Sequence, residues 1–240
     1  MSATIGVEAL LFDVFGTVVD WRSSIVEELG KFAAARGLRA DWEAFTDDWR
    51  DLYQPAMEEV RAGRRAFTIL DVLHRESLEK LLVKHAIGGL SEADKDHINR
   101  VWHRLKPWPD AVAGLKRLKS RYIIGTLSNG NIGLLTRMAK HAGLPWDVVL
   151  GAETARAYKP LPRAYLASVE QLNLAPAQVM LVAAHNGDLA AAAAVGLRTG
   201  FVARPTEYGP HQRRDVTASG AWDLHTNSFL ALADGLGCPS

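Results

Sequence analysis

Four polar side chains follow hydrophobic segments that lie far apart in the chain, and their chemical types suit catalysis on a small molecule. They are Asp13, Ser128, Lys159 and Asp188. A carboxylate at the end of a strand is a candidate nucleophile or metal ligand, a hydroxyl at the start of a helix can bind an anion, and a lysine supplies a counter-charge. Each residue also has an ordinary structural explanation, as a turn residue, a helix cap or a solvated surface group.

The hydrophobic segments that precede these residues have the length of buried parallel strands. They cover residues 7–12, 122–127, 148–150, 179–182 and 199–202. Segments with helical spacing lie between them, at 111–118, 134–142, 164–172 and 189–195. This alternation predicts an α/β protein with a parallel sheet. Since the carboxyl ends of parallel strands meet at one edge of a sheet, we expect the four polar residues to converge there.

Residues 21–107 differ from the rest of the chain, because they show helical periodicity and no convincing strand. They contain Trp21, Trp42, Trp49 and Trp102. Asp41 is a candidate N-cap, and Ser91-Glu92-Ala93-Asp94 has the pattern of a capping box. We therefore predict a helical cap at 21–107, inserted after the first strand into a core formed by 1–20 and 108–240. Such an insertion overhangs the carboxyl ends of the strands and acts as a lid.

The overall composition excludes several classes of partner. The chain has 240 residues, and its 28 Lys and Arg against 27 Asp and Glu argue against nucleic acid or an anionic membrane as the partner. Hydrophobic residues make up 48%, which predicts a globular core. The single Cys238 cannot form an internal disulfide, no apolar run reaches about 18 residues, and Met1–Thr4 lack a basic segment. We expect a soluble cytoplasmic protein without a signal peptide.

The polar clusters form a recognisable pattern when they are taken in chain order. They are Asp13-Val14-Phe15-Gly16-Thr17, Leu127-Ser128-Asn129-Gly130, Tyr158-Lys159-Pro160 with Tyr165 six residues after the lysine, and Asp188. In this order the chain resembles the haloacid dehalogenase superfamily and, within it, the L-specific (type II) 2-haloacid dehalogenases. The resemblance spans nearly the whole chain and implies a Rossmann-like core with a helical cap. It also implies hydrolysis of a short 2-halocarboxylate to the 2-hydroxy acid, with halide and water as small partners, no cofactor, and the homodimer common in similar enzymes.

The resemblance also implies roles for individual residues. Asp13 would displace the halide and form an ester that water hydrolyses, Lys159 would balance the charge of Asp13, and Asp188 would orient the lysine or activate water. Contacts with the nucleophile, the substrate or the halide are implied for Phe15, Thr17, Ser128, Asn129 and Tyr165. In the cap, Arg50 directly follows a tryptophan and matches the arginine that holds the departing halide. Phe67 matches an apolar wall over the substrate.

Three positions depart from related patterns and leave alternatives open. Phe15 stands where the Mg²⁺-dependent phosphatases of the superfamily carry a second Asp, and Ala184 replaces the first Asp of their last motif. A hard cation needs several oxygen ligands, so we expect no metal. His185 stands where the dehalogenases usually have Asn; it either positions or activates the hydrolytic water, or it is a core-edge histidine. If this change makes the halide pocket smaller, the pocket would suit fluoride. Two alternative functions remain open: a phosphatase of the same superfamily and an inactive binding protein of the same fold.

Overall fold

Six parallel strands form one sheet, and the first strand of the chain lies inside it. The computed structural model describes residues 6–239. In chain order the strands are β1 (Ala9–Phe12), β2 (Val19–Asp20), β3 (Lys106–Pro107), β4 (Ile123–Ser128), β5 (Val148–Gly151), β6 (Val179–Ala183), β7 (Arg198–Val202) and β8 (Leu224–Thr226). The sheet has the order β5-β4-β1-β6-β7-β8, and every neighbouring pair is parallel. The predicted Rossmann-like α/β core is confirmed.

The strand β1 is buried on both faces, which explains why its sequence is apolar without alternation. Leu10 and Phe12 pack into the hydrophobic cluster on one face of the sheet, and Ala9 and Leu11 pack into the cluster on the other. All four side chains are fully buried. A strand held this firmly provides a fixed end from which Asp13 projects.

Helices cover both faces of the sheet and fill the segment between β2 and β3. In chain order they are α1 (Trp21–Ala34), α2 (Trp42–Asp51), α3 (Tyr53–Arg61), α4 (Leu70–Lys84), α5 (Glu92–Asn99), α6 (Ala111–Lys119), α7 (Ile132–Ala142), α8 (Ala152–Ala155), α9 (Pro162–Glu170), α10 (Asn186–Ala194) and α11 (Phe229–Gly235), with short 3₁₀ turns at Arg100–His103 and Pro176–Gln178. No helix within residues 6–239 is long and apolar enough to cross a membrane. The expectation about Met1–Thr4 falls outside the described residues.

The inserted segment is helical, as predicted, with one correction at its end. Lys106–Pro107 form the strand β3, which pairs antiparallel with Val19–Asp20 at the base of the insertion. Two residues are too few to show a strand pattern in the sequence. The predicted helix N-cap at Asp41, before α2, and the capping box that begins at Ser91, before α5, are confirmed. The division into a core of 1–20 and 108–240 and a cap of 21–107 follows this base, and we keep it as a proposal.

An aromatic cluster joins the insertion to the sheet. Phe15, directly beyond β1, lies edge-on to Trp102 and Tyr53, with ring centroids 5.8 and 6.4 Å apart. Trp49 of α2 lies against the same Trp102 at 5.6 Å. Aromatic pairs in these geometries add to the free energy gained from burial. They fix the helix that carries Arg50 above the carboxyl edge of the sheet.

Polar contacts also cross between the insertion and the sheet. Arg61 of α3 donates to the carbonyl oxygen of Lys159 over 3.0 Å, and the Tyr158 hydroxyl donates to the Thr68 carbonyl oxygen over 2.6 Å. Farther along, the amide of Asn131 donates to the Asp71 carboxylate over 3.0 Å. Because these contacts end in the loops that follow β4 and β5, the insertion and these loops hold each other in place.

Replacement of Val182 by alanine should lower the free energy of unfolding by about 2 kcal/mol, because two methyl groups leave a fully buried position on β6. The same replacement at Val83, which is 82% exposed on α4, should change it by less than about 0.5 kcal/mol. Urea titrations of both variants beside the wild-type protein measure the difference. Equal losses in the two variants would contradict the central position of β6.

Candidate active site

Asp13 is a buried carboxylate that receives three hydrogen bonds at the end of β1. Its Oδ1 accepts from Lys159 Nζ at 2.9 Å, and its Oδ2 accepts from Thr17 Oγ1 at 2.8 Å and lies 3.1 Å from His185 Nδ1. Burial alone would raise the pKa of the Asp13 carboxyl, but the Lys159 ammonium and the His185 imidazole hold it far below its usual range. Asp13 is therefore ionised at neutral pH, as a nucleophile must be.

Lys159 lies between two carboxylates. Its Nζ donates to Asp13 and to Asp188 Oδ2, and its side chain is 8% exposed. The backbone is held from both sides, because the N–H donates to Asn129 Oδ1 over 2.9 Å and the carbonyl oxygen accepts from Arg61. Burial alone would lower the pKa of Lys159, but the two carboxylates raise it above its usual range. The lysine is thus a fixed cation.

Asp188 is oriented by Tyr165 as well as by the lysine. It lies in the first turn of α10, which begins three residues earlier than the sequence spacing predicts. Its Oδ1 accepts from the Tyr165 hydroxyl at 2.7 Å while Oδ2 faces Lys159. Burial and the negative charge of Asp188 raise the pKa of Tyr165, so the phenol keeps its proton and remains a donor. Both oxygens of Asp188 are therefore occupied.

His185 contacts a second buried carboxylate that belongs to none of the sequence motifs. Its Nε2 lies 2.8 Å from Oε2 of Glu207, which is fully buried and also accepts from Trp21 Nε1 at 3.0 Å. Burial alone would lower the pKa of His185, but Glu207 and Asp13 raise it well above its usual value. The ring of His185 lines the cavity beside Asp13 and has a partner at each nitrogen, so its role stays a prediction.

Arg50 brings a cation from the insertion to the site. Its guanidinium lies over the rings of Tyr53 and Trp21, 4.4 and 5.2 Å from their centroids, and its side chain is 10% exposed. Its Nη2 is 3.9 Å from Glu207, while Nη1 is buried and finds no hydrogen-bond partner among residues 6–239. A buried N–H without a partner is costly, so this guanidinium is suited to receive an anion.

These groups surround a cavity of about 400 Å³ that opens between the sheet edge and the insertion. Eight of the residues singled out in the sequence line it: Asp13, Phe15, Arg50, Asn129, Lys159, Tyr165, His185 and Asp188. Its other lining residues are Tyr53, Gln54, Pro160, Gly187, Tyr208, Arg214 and Asp215. Of the four polar residues expected to converge from separate segments, Asp13, Lys159 and Asp188 line this cavity and Ser128 does not.

Three of the residues named from the sequence lie outside this lining. Thr17 contacts Asp13 from behind, and Ser128 Oγ accepts from the N–H of Gly130 at 3.1 Å, which shapes the loop after β4. The ring of Phe67 packs on Tyr158 at a centroid distance of 5.4 Å and is not among the lining residues, whereas Tyr53 is; a role of Phe67 over the substrate stays a prediction.

Two contributors were missed for different reasons. Tyr53 lies three residues after Arg50 in a helical segment, so both share one face, and this spacing could have identified it. Glu207 follows β7 in a segment of turns without regular periodicity. No sequence signal separates it from a surface glutamate. Its function depends on contacts with Trp21 and His185, which are distant in the chain.

Comparison with known proteins places the chain in a family. The profile described as haloacid dehalogenase-like hydrolase matches residues 7–196. The (S)-2-haloacid dehalogenase 4A of Burkholderia cepacia is 28% identical over 244 residues, covering 94% of this chain and 97% of that protein. The chain belongs to the haloacid dehalogenase-like hydrolases.

Solved structures refine this placement. A defluorinating L-2-haloacid dehalogenase is 48% identical with a TM-score of 0.94, over 97% of this chain and 96% of that one. A second L-2-haloacid dehalogenase has the same identity and TM-score, over 97% of this chain and 99% of that one. The resemblance inferred from the motif order, to the L-2-haloacid dehalogenases, is confirmed.

The carboxylate of Glu207 leaves no room for a side chain at Gly16, which can be tested by substitution. Gly16 has a φ of +86°, and a Cβ on it would lie 2.0 Å from Glu207 Oε1. Gly63 has a φ of +71° with no atom within 4 Å of its Cβ position. Gly63→Ala should cost about 1–2 kcal/mol of unfolding free energy from the backbone alone. Gly16→Ala should cost clearly more, about 3 kcal/mol or above, because a buried carboxylate must move.

Denaturant unfolding of the two alanine variants measures both losses. The strain of an alanine at positive φ lowers the unfolding free energy of both variants by a similar amount. The difference between the two losses therefore measures the cost of the contact with Glu207. If Gly16→Ala and Gly63→Ala lose the same free energy, the close approach of Glu207 to the loop after β1 is wrong.

Proposed function

We propose that this protein hydrolyses short 2-halocarboxylates to 2-hydroxy acids through an ester on Asp13. The observation that carries the proposal is the ionised carboxylate of Asp13, held by Lys159 at the floor of a cavity that Arg50 overlooks. The family relationship supports it, because the compared proteins are named as 2-haloacid dehalogenases. An inactive binding protein would have no need of a nucleophile held ionised in this way.

In the first step an oxygen of Asp13 attacks C2 of the substrate. A bond from that oxygen to carbon forms as the carbon–halogen bond breaks, and the electron pair leaves with the halide. The guanidinium of Arg50 reaches Glu207 only at 3.9 Å, and its buried Nη1 has no partner among residues 6–239, so Arg50 receives the halide as negative charge develops. Asn129, which also lines the cavity, is a second candidate donor to the halide.

In the second step water attacks Cγ of the Asp13 ester and releases the 2-hydroxy acid. Asp188 and His185 are the two candidates to activate this water. The oxygens of Asp188 are already engaged by Lys159 and Tyr165, whereas His185 Nδ1 lies 3.1 Å from the Asp13 carboxylate. This geometry favours His185 as the group that positions and deprotonates the water.

We propose that the reaction needs no metal ion. In the magnesium-dependent relatives, the first motif supplies two carboxylates and the last motif supplies more; here Phe15 and Ala184 replace two of them. The Lys159 ammonium bonds both Asp13 and Asp188 and so balances the charges that a cation would otherwise meet. Within residues 6–239 no group of three or more His, Cys, Asp or Glu is arranged to hold a metal.

Fluoroacetate is included among the proposed substrates. One of the two structures at 48% identity is named as a defluorinating enzyme. Fluoride is a poor leaving group that gains more than other halides from charged hydrogen bonds, and Arg50 offers a buried, unpartnered N–H for this purpose. A fluoride-selective electrode measures the activity directly.

A homodimer in the cytoplasm completes the proposal. Val72 of α4 and Ile132 of α7 are each 41% exposed, and such apolar side chains support a contact between copies. The single cysteine is typical of a protein that functions in a reducing compartment. Light scattering of the purified protein measures the oligomeric state.

The ester route predicts where the oxygen of water enters. In a single turnover in heavy-oxygen water with enzyme in excess over 2-chloropropionate, the label should appear in the peptide that contains Asp13, because water attacks Cγ. Asp13→Asn should lose halide release by at least about 1,000-fold and take up no label. Label found only in the 2-hydroxy acid would mean that water attacks C2 directly.

A phosphatase of this superfamily would require Mg²⁺, whereas the proposed dehalogenation does not. Halide release from 2-chloropropionate should be unchanged after exhaustive treatment with EDTA, because Lys159 and not a cation balances Asp13. Phospho-sugars with added Mg²⁺ should yield no inorganic phosphate. Phosphate release that depends on Mg²⁺, together with no halide release, would replace the dehalogenase proposal.

A further inference from the structure

Glu207 is a carboxylate buried behind the catalytic groups. It lies outside the cavity lining and contacts His185, Trp21 and, at 3.9 Å, Arg50. Burial alone would raise the pKa of Glu207, but the neighbouring imidazole lowers it, so the carboxyl is ionised. A charge of this kind is costly to bury unless its partner carries the opposite charge.

The ring of His185 faces a carboxylate at each nitrogen. Nδ1 lies 3.1 Å from Asp13 Oδ2, and Nε2 lies 2.8 Å from Glu207 Oε2. Ionised carboxylates only accept hydrogen bonds, so each of the two ring nitrogens must carry a proton. The geometry makes His185 an imidazolium in the resting enzyme, and an imidazolium cannot accept a proton from water.

Other charges near His185 act through these two contacts. Lys159 bonds the far oxygen of Asp13, and Arg50 lies behind Glu207. Asp215 accepts from the backbone N–H of Asn186, the residue that follows the histidine. Asp13 is the group among them whose charge the proposed reaction removes.

We propose that Glu207 is a positioning residue that keeps His185 doubly protonated while Asp13 is charged, so that formation of the ester converts His185 into the base. This inference rests on the proposed function. Neither oxygen of the ester carries a charge, so the charge-assisted hydrogen bond that held the Nδ1 proton is weakened. The proton then leaves to water in the cavity, while the bond to Glu207 keeps the remaining proton on Nε2 and leaves the Nδ1 lone pair directed at the ester.

The protons balance over one turnover. The Nδ1 proton leaves after the halide is displaced. Water then attacks Cγ and gives one proton to Nδ1, and the departing alkoxide of the hydroxy acid takes the other. Asp13 returns as a carboxylate and His185 as an imidazolium. The single proton produced by the overall hydrolysis is therefore released with the ester and not with the alcohol.

Nitrogen NMR of the ring nitrogens tests the resting state and the switch at equilibrium. His185→Asn identifies the signals, and a titration around pH 8.5, about two units above the usual pKa of histidine, should show His185 doubly protonated in the wild-type protein. Asp13→Asn has a neutral side chain and imitates the charge of the ester. It should lower the midpoint of His185 by at least about one pH unit, and Glu207→Gln should do the same.

The surface variant Glu59→Gln is the matched control and should leave the titration midpoint of His185 unchanged. Glu59 is an exposed residue of α3 that pairs with Arg64. The inference is overturned if His185 is neutral in the wild-type protein, or if Asp13→Asn leaves it as protonated as before. If Glu207→Gln does not fold, the comparison of the wild-type protein with Asp13→Asn still decides.

Kinetics provide the second readout. With 2-chloropropionate and a pH indicator, one proton should appear in the same phase as the ester, which intact-protein mass spectrometry detects. Glu207→Gln should slow ester hydrolysis by at least about 10-fold, with a much smaller effect on ester formation, so the ester accumulates. A proton released together with the hydroxy acid overturns the inference alone. Failure to find an ester on Asp13 in any variant overturns the proposed function.

Discussion

The site depends on one buried contact, the ammonium of Lys159 between the carboxylates of Asp13 and Asp188. Each of these charges alone would be expelled from the interior or neutralised by a shift in its pKa. Together they remain ionised, and Asp13 keeps its charge although it is buried. The sheet topology is what makes the contact available, because β1 lies between β4 and β6 and the three side chains come from the ends of separate segments.

The remaining charges extend this pattern into the insertion. The cations around the cavity include Lys159, His185 and Arg50, and the carboxylates that face them are Asp13, Asp188 and Glu207. The lysine and the histidine have carboxylates within hydrogen-bond distance, while Arg50 approaches Glu207 only to 3.9 Å. Arg50 therefore keeps hydrogen-bonding capacity for a small anion, because its buried Nη1 has no partner among the described residues. A few placed charges are sufficient for a small anion, which agrees with a net charge of only +1 over the chain.

Features that a local sequence pattern determines could be predicted from the sequence. Features that depend on contacts between residues distant in the chain could not. The strand before Asp13 was identifiable because burial on both faces requires a continuous apolar run, and the cap at Asp41 because the N-cap chemistry is local. The motif order placed eight residues at the cavity. By contrast, Glu207 is defined by groups more than twenty residues away, and β8 (Leu224–Thr226) is short and only half-buried. The ring of Phe67 packs on Tyr158, a contact that no spacing within the insertion reveals.

The insertion contributes to the cavity because the sheet and its loops alone do not complete the lining. Asp13 and Lys159 come from the sheet edge and its loops, whereas Arg50, whose Nη1 has no partner among the described residues, comes from α2. The two parts are joined at the backbone of the catalytic lysine itself, since Arg61 donates to the Lys159 carbonyl oxygen. Displacement of the insertion would withdraw Arg50 from the cavity and break this hydrogen bond together. The position of the insertion therefore sets both the cation that faces the cavity and the backbone of the lysine that keeps Asp13 ionised.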